Sequence, residues 1–254
     1  MNTQMKLHLA KYRKYLAQEE NVIVVFGDID EIQTSRALYE ERHGILSTSS
    51  ETQNELLNAC ALAAASLSDR ESWGWTLTLP ESADGFFVGV EPEGMICTRL
   101  KPAEPDTKKV YLQRQKNDGP LMQSHFEPNS DSPARTVEQY FNAVVQTQTR
   151  IEIVGAAGIL VQALPDCRFD AIRKMSTSEL FSHFTTKRDA QELKPLVEFL
   201  VFYECRCDEK MVSEMVERLS QSDQQAVFDG QDTAEIECPR CGRTYVLSPN
   251  RTLN

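Results

Sequence analysis

Four cysteines near the C-terminus constrain this chain more than any other feature. Cys205 and Cys207 form a C-x-C pair; after a 30-residue spacer, Cys238 and Cys241 form a C-x-x-C pair. A single cysteine often serves as a small buried hydrophobe, but two close pairs in one short segment are poorly explained as core filler. Four thiolates are what a tetrahedral zinc ion takes, at roughly 2.3 Å each, and structural zinc sites are closed by four protein ligands. The expectation is one Zn2+ per chain held by Cys205, Cys207, Cys238 and Cys241. In the second pair Pro239 fixes one φ and Gly242 permits a positive φ. Such a turn aims backbone amides at the sulfurs and supports their charge. The C-x-C pair is shorter than ordinary ligand spacing and reads equally as a ligand pair or a disulfide, depending on redox state.

The rest of the composition narrows the partners. In 254 residues there is room for one sizeable domain and a smaller module. Lys and Arg number 27 against 38 Asp and Glu, a net charge of −11. An acidic chain is poorly suited to phosphate backbones, so a nucleic-acid partner is not expected. No run approaches the ~18 apolar residues of a membrane span, and Met1 to Leu16 lacks the apolar core of a signal peptide. Seven cysteines in an unexported protein fit a reducing compartment, and the expectation is a cytoplasmic protein.

Along the chain the periodicity predicts an α+β fold. Lys11–Leu16 and Asn21–Phe26 read as a hairpin, and Asp30–His43 as a helix stopped by Gly44. Ser47 to Ser50 is a cap-rich loop before a helix over Glu51–Leu67, whose alanines suit close packing on a sheet. Strands follow at Trp73–Leu79, Gly85–Val90 and Met95–Leu100; a polar stretch over Lys101–Asp106 precedes edge strands at Val110–Leu112 and Leu121–Phe126. Thr136–Gln146 reads as a helix with Val137, Tyr140, Phe141 and Val144 on one face, and Arg150–Val154 with Gly158–Ala163 as a strand pair. From Pro165 the pattern reads as helix only: Asp166–Met175, a segment opened by the capping box Ser176-Thr177-Ser178-Glu179, then Asp189–Tyr203. Met211, Val212, Met215, Val216 and Leu219 form a helical stripe between the cysteine pairs, and Ser222–Gln225 a second capping box. The division is an N-terminal mixed sheet-and-helix domain over 1–165, a helical linker over 166–203 and a small zinc-binding domain over 204–254.

The C-x-C … C-x-x-C signature, Glu40-Glu41-Arg42-His43-Gly44, Tyr140-Phe141 and the run Gly155 to Pro165 together resemble the heat shock protein 33 family, redox-regulated holdase chaperones. The resemblance implies a holdase without an ATP site, and no G-x-x-x-x-G-K-[ST] is present. It implies that the reduced thiolates hold zinc and that oxidants form Cys205–Cys207 and Cys238–Cys241 disulfides. Unfolding clients would then meet an apolar surface including Leu196, Phe199, Leu200 and Phe202. It further implies a homodimer in the oxidised state and hand-off of clients to ATP-dependent foldases.

Elsewhere the residues read plainly. Cys60 and Cys97 fit core positions, Cys167 lies near a boundary with nothing to activate it, and His8, His43, His125 and His183 lack ligand spacing. Trp73 and Trp75 read as packing on the sheet. Nothing supports an enzyme, and a thiol–disulfide oxidoreductase using Cys238 and Cys241 would want a βαβ setting. The alternative is a zinc-stabilised protein-binding module indifferent to oxidants.

Overall fold

The computed structural model describes residues 8–46, 50–67, 71–103, 108–116 and 119–248. Ser47–Ser49 of the cap-rich loop, residues 104–107 and the tail from 249 lie outside this set. The opening hairpin is formed by β1 (Ala10–Ala17) and β2 (Val22–Asp28). Strict alternation decides its faces: Ala10, Tyr12 and Val25 enter the main core, whereas Ala17, Val22 and Val24 enter a second core on the opposite face. Helix α1 (Asp30–His43) ends at Gly44, and α2 (Glu51–Ser66) starts where Ser50 Oγ accepts the Gln53 amide at 3.2 Å. Ala59, Ala61 and Ala63 of α2 are buried and let the helix lie close against the sheet.

Strands β3 (Ser72–Thr78), β4 (Asp84–Val90), β5 (Met95–Pro102), β6 (Val110–Gln115) and β7 (Met122–Phe126) pair antiparallel in the order β7-β6-β3-β4-β5, with β6 beside β3 rather than β5. Trp73 and Trp75 of β3 are buried against Tyr140, which tops α3 (Pro133–Gln139) and begins a π-helical turn over Tyr140–Val145. Hairpin β8 (Thr149–Val154) and β9 (Ala157–Ala163) follows, then α4 (Asp170–Lys174), α5 (Thr177–Asp189) and β10 (Lys194–Tyr203). A ten-stranded sheet results, ordered β7-β6-β3-β4-β5-β10-β1-β2-β9-β8. Helix α2 crosses one face; α4 and α5 cover part of the other, seating Phe169, Ile172, Leu180 and Phe184 on Val22, Val24, Ile159 and Val161. The C-terminal module holds α6 (Glu209–Glu217), α7 (Gln221–Phe228) and the hairpin of β11 (Ala234–Glu237) and β12 (Thr244–Leu247). No helix among the described residues is long and apolar enough to cross a membrane.

The α+β architecture stands, with corrections of detail. The helix expected over Asp189–Tyr203 ends at Asp189, and Lys194–Tyr203 is strand β10 in the middle of the sheet. Gln191 at φ 60 breaks the helix, and Pro195 with the Val, Phe and Tyr run that follows suits a pleated surface. The short helix expected from Asp166 begins only at Asp170, because Asp166 takes a positive φ of 66. Strand β6 is paired on both sides and is not an edge. Val144 is exposed, since the π-helical turn rotates it off the buried face of Tyr140 and Phe141. The second capping residue is Ser220, whose Oγ accepts the Asp223 amide at 3.2 Å.

Candidate metal centre

The chain brings Cys205, Cys207, Cys238 and Cys241 together, all buried, with their sulfurs within 4.8 Å of one another. Four sulfurs around a tetrahedral zinc stand roughly 3.8 Å apart at the usual bond length. Here Cys207 and Cys241 are 3.5 Å apart, and Cys205 and Cys238 are 4.0 Å apart. The donor set and its spacing therefore fit one zinc ion.

Each pair is placed by local structure. Cys205 and Cys207 follow β10 directly, and the Glu204 amide bonds the Ile96 carbonyl of β5 at 3.0 Å. Asp208 then caps α6, accepting the Met211 amide at 2.7 Å. The other pair sits between β11 and β12, where the Cys238 amide bonds the Arg243 carbonyl at 2.8 Å and the Gly242 amide bonds the Cys238 carbonyl at 2.9 Å. Gly242 holds φ at 82, the conformation expected of it. Under the centre, α6 contributes Val212 and Val216, packed with Phe228, Tyr245 and Leu247.

Two phenols touch the sulfurs. Tyr39 of α1 reaches 3.4 Å from Cys241 Sγ and 4.0 Å from Cys207 Sγ. Tyr245 of β12 lies 3.1 Å from Cys207 Sγ and 2.9 Å from its carbonyl. Burial, then the adjacent sulfurs, raises the pKa of both phenols, so each keeps its proton and serves as a donor to sulfur. Hydrogen bonding from Cys205 brings the Cys207 thiol down to about 6. The Cys205 thiol also lowers Cys238, helped by the other thiols and by the Arg240 amide.

Charged groups clamp the module to the sheet. Glu91, at the end of the β4 hairpin and almost fully buried, accepts from Arg240 of the C-x-x-C turn, from Arg206 at 3.4 Å and from Ser72 at 3.0 Å. Arg99 of β5 bonds the Cys238 carbonyl at 2.7 Å and pairs with Glu237. Arg42 of α1 pairs with Glu204 at 3.0 Å. Below them a polar chain runs through the core: Arg36 to Glu40 and Gln53, Gln53 to Thr98, and Tyr203 to Thr98.

Of the residues singled out from sequence, the four cysteines meet and the rest sit as follows. Cys60 and Cys97 are buried in the core, and Cys167 is half-buried with its Sγ 3.2 Å from the Glu20 carbonyl. The His43 ring lies 4.5 Å from that of Tyr39, tilted at 59°, and burial with Arg243 and Arg42 lowers its pKa. Leu196, Leu200 and Phe202 share the outer face of β10, whereas Phe199 points inward and is buried. Sequence reading missed Tyr39, Glu91, Arg99 and Tyr245. Of these only Tyr245 lies close enough to the C-x-x-C turn to have been suspected.

Comparison with known proteins agrees with this geometry. The family model described as Hsp33 protein matches residues 13–248. The 33 kDa chaperonin of Limosilactobacillus fermentum is 29% identical over 119 residues, 41% of this chain and 40% of that relative; the aligned stretch is thus less than half of its length. The crystal structure of the 33 kDa chaperonin (heat shock protein 33 homolog) of Thermotoga maritima shares the fold, with a TM-score of 0.68 over 96% of each chain at 16% identity. Matched from its first strand to beyond its last, the chain belongs to the Hsp33 family.

Proposed function

We propose that this protein is a cytoplasmic, ATP-independent holdase switched on by oxidation, and not an enzyme. The observation that carries the reading is the continuity from metal centre to sheet: Cys205 is two residues beyond β10. When bound, zinc ties the four thiolates together and supplies the module with folding free energy, roughly 10–16 kcal/mol in small zinc sites. A peroxide or hypochlorite takes one thiolate to sulfenic acid, and a neighbouring thiol condenses with it, releasing water and forming a disulfide. We assign the pairs Cys205–Cys207 and Cys238–Cys241; each bond removes two donors. Tyr39 then loses its sulfur partners, and the clamp at Glu91 and Arg99 loses the turn it holds.

Disengagement adds buried Phe199 and half-buried Phe202 to Leu196 and Leu200, already exposed, as a surface for unfolding proteins. Large apolar surfaces of this kind are how partners are captured. Oxidised chains pair as homodimers and pass clients to ATP-dependent foldases. The test is zinc release measured with a chromophoric chelator beside suppression of aggregation, before and after hypochlorite. One zinc per chain, released as client protection rises, is the expected result. Zinc that stays bound, or leaves with no gain in protection, overturns the switch in favour of a constitutive zinc-stabilised module. Peptide mapping that joins Cys205 to Cys238 or Cys241 overturns the pairing.

A further inference from the structure

We propose that β10 fills a docking slot for extended polypeptide, and that unfolding proteins bind by adding a strand where β10 has left. This rests on the redox reading above. On one side β10 pairs antiparallel with β1, from Ala10↔Val201 to Leu16↔Lys194. On the other it pairs parallel with β5 through Phe202↔Met95 and Tyr203↔Ile96 alone. Departure of β10 divides the sheet into β7-β6-β3-β4-β5 and β1-β2-β9-β8. Each half then presents an edge of unpaired N–H and C=O groups, a template for another chain.

Two observations mark β10 as the removable strand, and a third shows that its slot is shaped for main chain. Its first half, Lys194–Glu198, is exposed throughout, and its register with β1 slips between Lys14 and Tyr15. Its inward anchors Phe199, Val201 and Tyr203 are all in the half that leads to Cys205, so the strand is held from its metal end. The turn before β5 is shaped around a main chain: Gly94, at φ 93, would place a Cβ 1.9 Å from the Leu200 carbonyl oxygen. The Phe202 amide meets the Gly94 carbonyl there at 3.0 Å.

What β10 brings defines what fits. Main-chain bonds to β1 and β5 recognise any extended segment, which gives tolerance of sequence. Alternate side chains then point to the wall where Tyr203 meets Tyr39 and Phe199 lies opposite Tyr12. The outer side carries Lys11 and Arg13, and Arg13 pairs with Glu198 at 2.9 Å. The partner is therefore an extended segment, apolar at every second position and neutral or acidic between.

Hydrogen exchange on the full chain tests this in three states: zinc-loaded and reduced, hypochlorite-oxidised, and oxidised with reduced carboxymethylated α-lactalbumin as a permanently unfolded probe. The β1 amides that face β10 should lose at least tenfold in protection on oxidation and regain it with the probe, while β9 stays unchanged. Retained protection on oxidation, or exchange that persists while the probe is bound, overturns strand addition. A synthetic peptide of residues 194–203 should also displace the probe where a scrambled peptide does not; equal displacement by both overturns the slot. Absence of probe binding after zinc release instead overturns the holdase reading itself.

Discussion

The sheet body and the C-terminal module bury their interiors by different means. The body stacks helices on both faces of a wide sheet and fills the space with Trp73, Trp75, Leu56, Leu57, Phe141 and many others. The module gathers Val212, Val216, Phe228, Tyr245 and Leu247 around four sulfurs. A core so small does not support a fold unaided, and a metal or disulfides usually make up the difference. The contrast teaches that one chain holds a part closed by its own apolar core and a part gathered around a candidate metal centre, joined at β10 and at the charged clamp.

Removing the metal gives the largest effect. A chelator strong enough to strip zinc should withdraw on the order of 10–16 kcal/mol from the module; exchange across 209–247 should rise to the unfolded rate while β2 and β9 stay protected. Uniform loss of protection would break the comparison. Next, Leu57→Ala opens a cavity in the body and should cost about 2–5 kcal/mol, read as a lower denaturation midpoint with zinc affinity unchanged. Glu91→Ala acts on the joint. Arg240 Nε already has no partner among the described residues, and loss of the carboxylate should cost about 1.5–3 kcal/mol of docking, seen as faster exchange in the module without a shift in the body's midpoint.

The smallest effect is one of pH. Burial raises the Glu20 carboxyl, but hydrogen bonds from Lys187 and His183 outweigh it and leave the pKa lowered. A lowered folded value contributes stability above the unfolded value of about 4.3 that is lost as pH falls through the folded one. Glu20→Gln should therefore reduce the body's stability by about 0.5–1 kcal/mol near neutrality, read as a lower denaturation midpoint, and the difference from wild type should vanish in acid.

Much of this was legible in the residues, for local reasons. The cysteine spacing pointed to the four-sulfur cluster because cysteines two and three apart are held by their own turns. The first hairpin and α2 declared themselves by alternation and by helical period. Lys194–Tyr203 did not, because a short apolar run fits a buried helix and a strand alike. Its place depends on partners at Ala10–Leu16 and Met95–Ile96, far away in the chain. Tyr39 was hidden for the same reason: nothing near it in sequence points to Cys241.

The position of β10 also orders events during synthesis. A chain emerging from the ribosome carries the residues of β1 to β9 before residues 194–203 are made, so the strands on both sides of the seam precede the one that fills it. Translation at ~5–20 residues per second leaves that gap open for seconds. The body can close only when its last strand arrives, and Cys205 and Cys207 follow immediately behind.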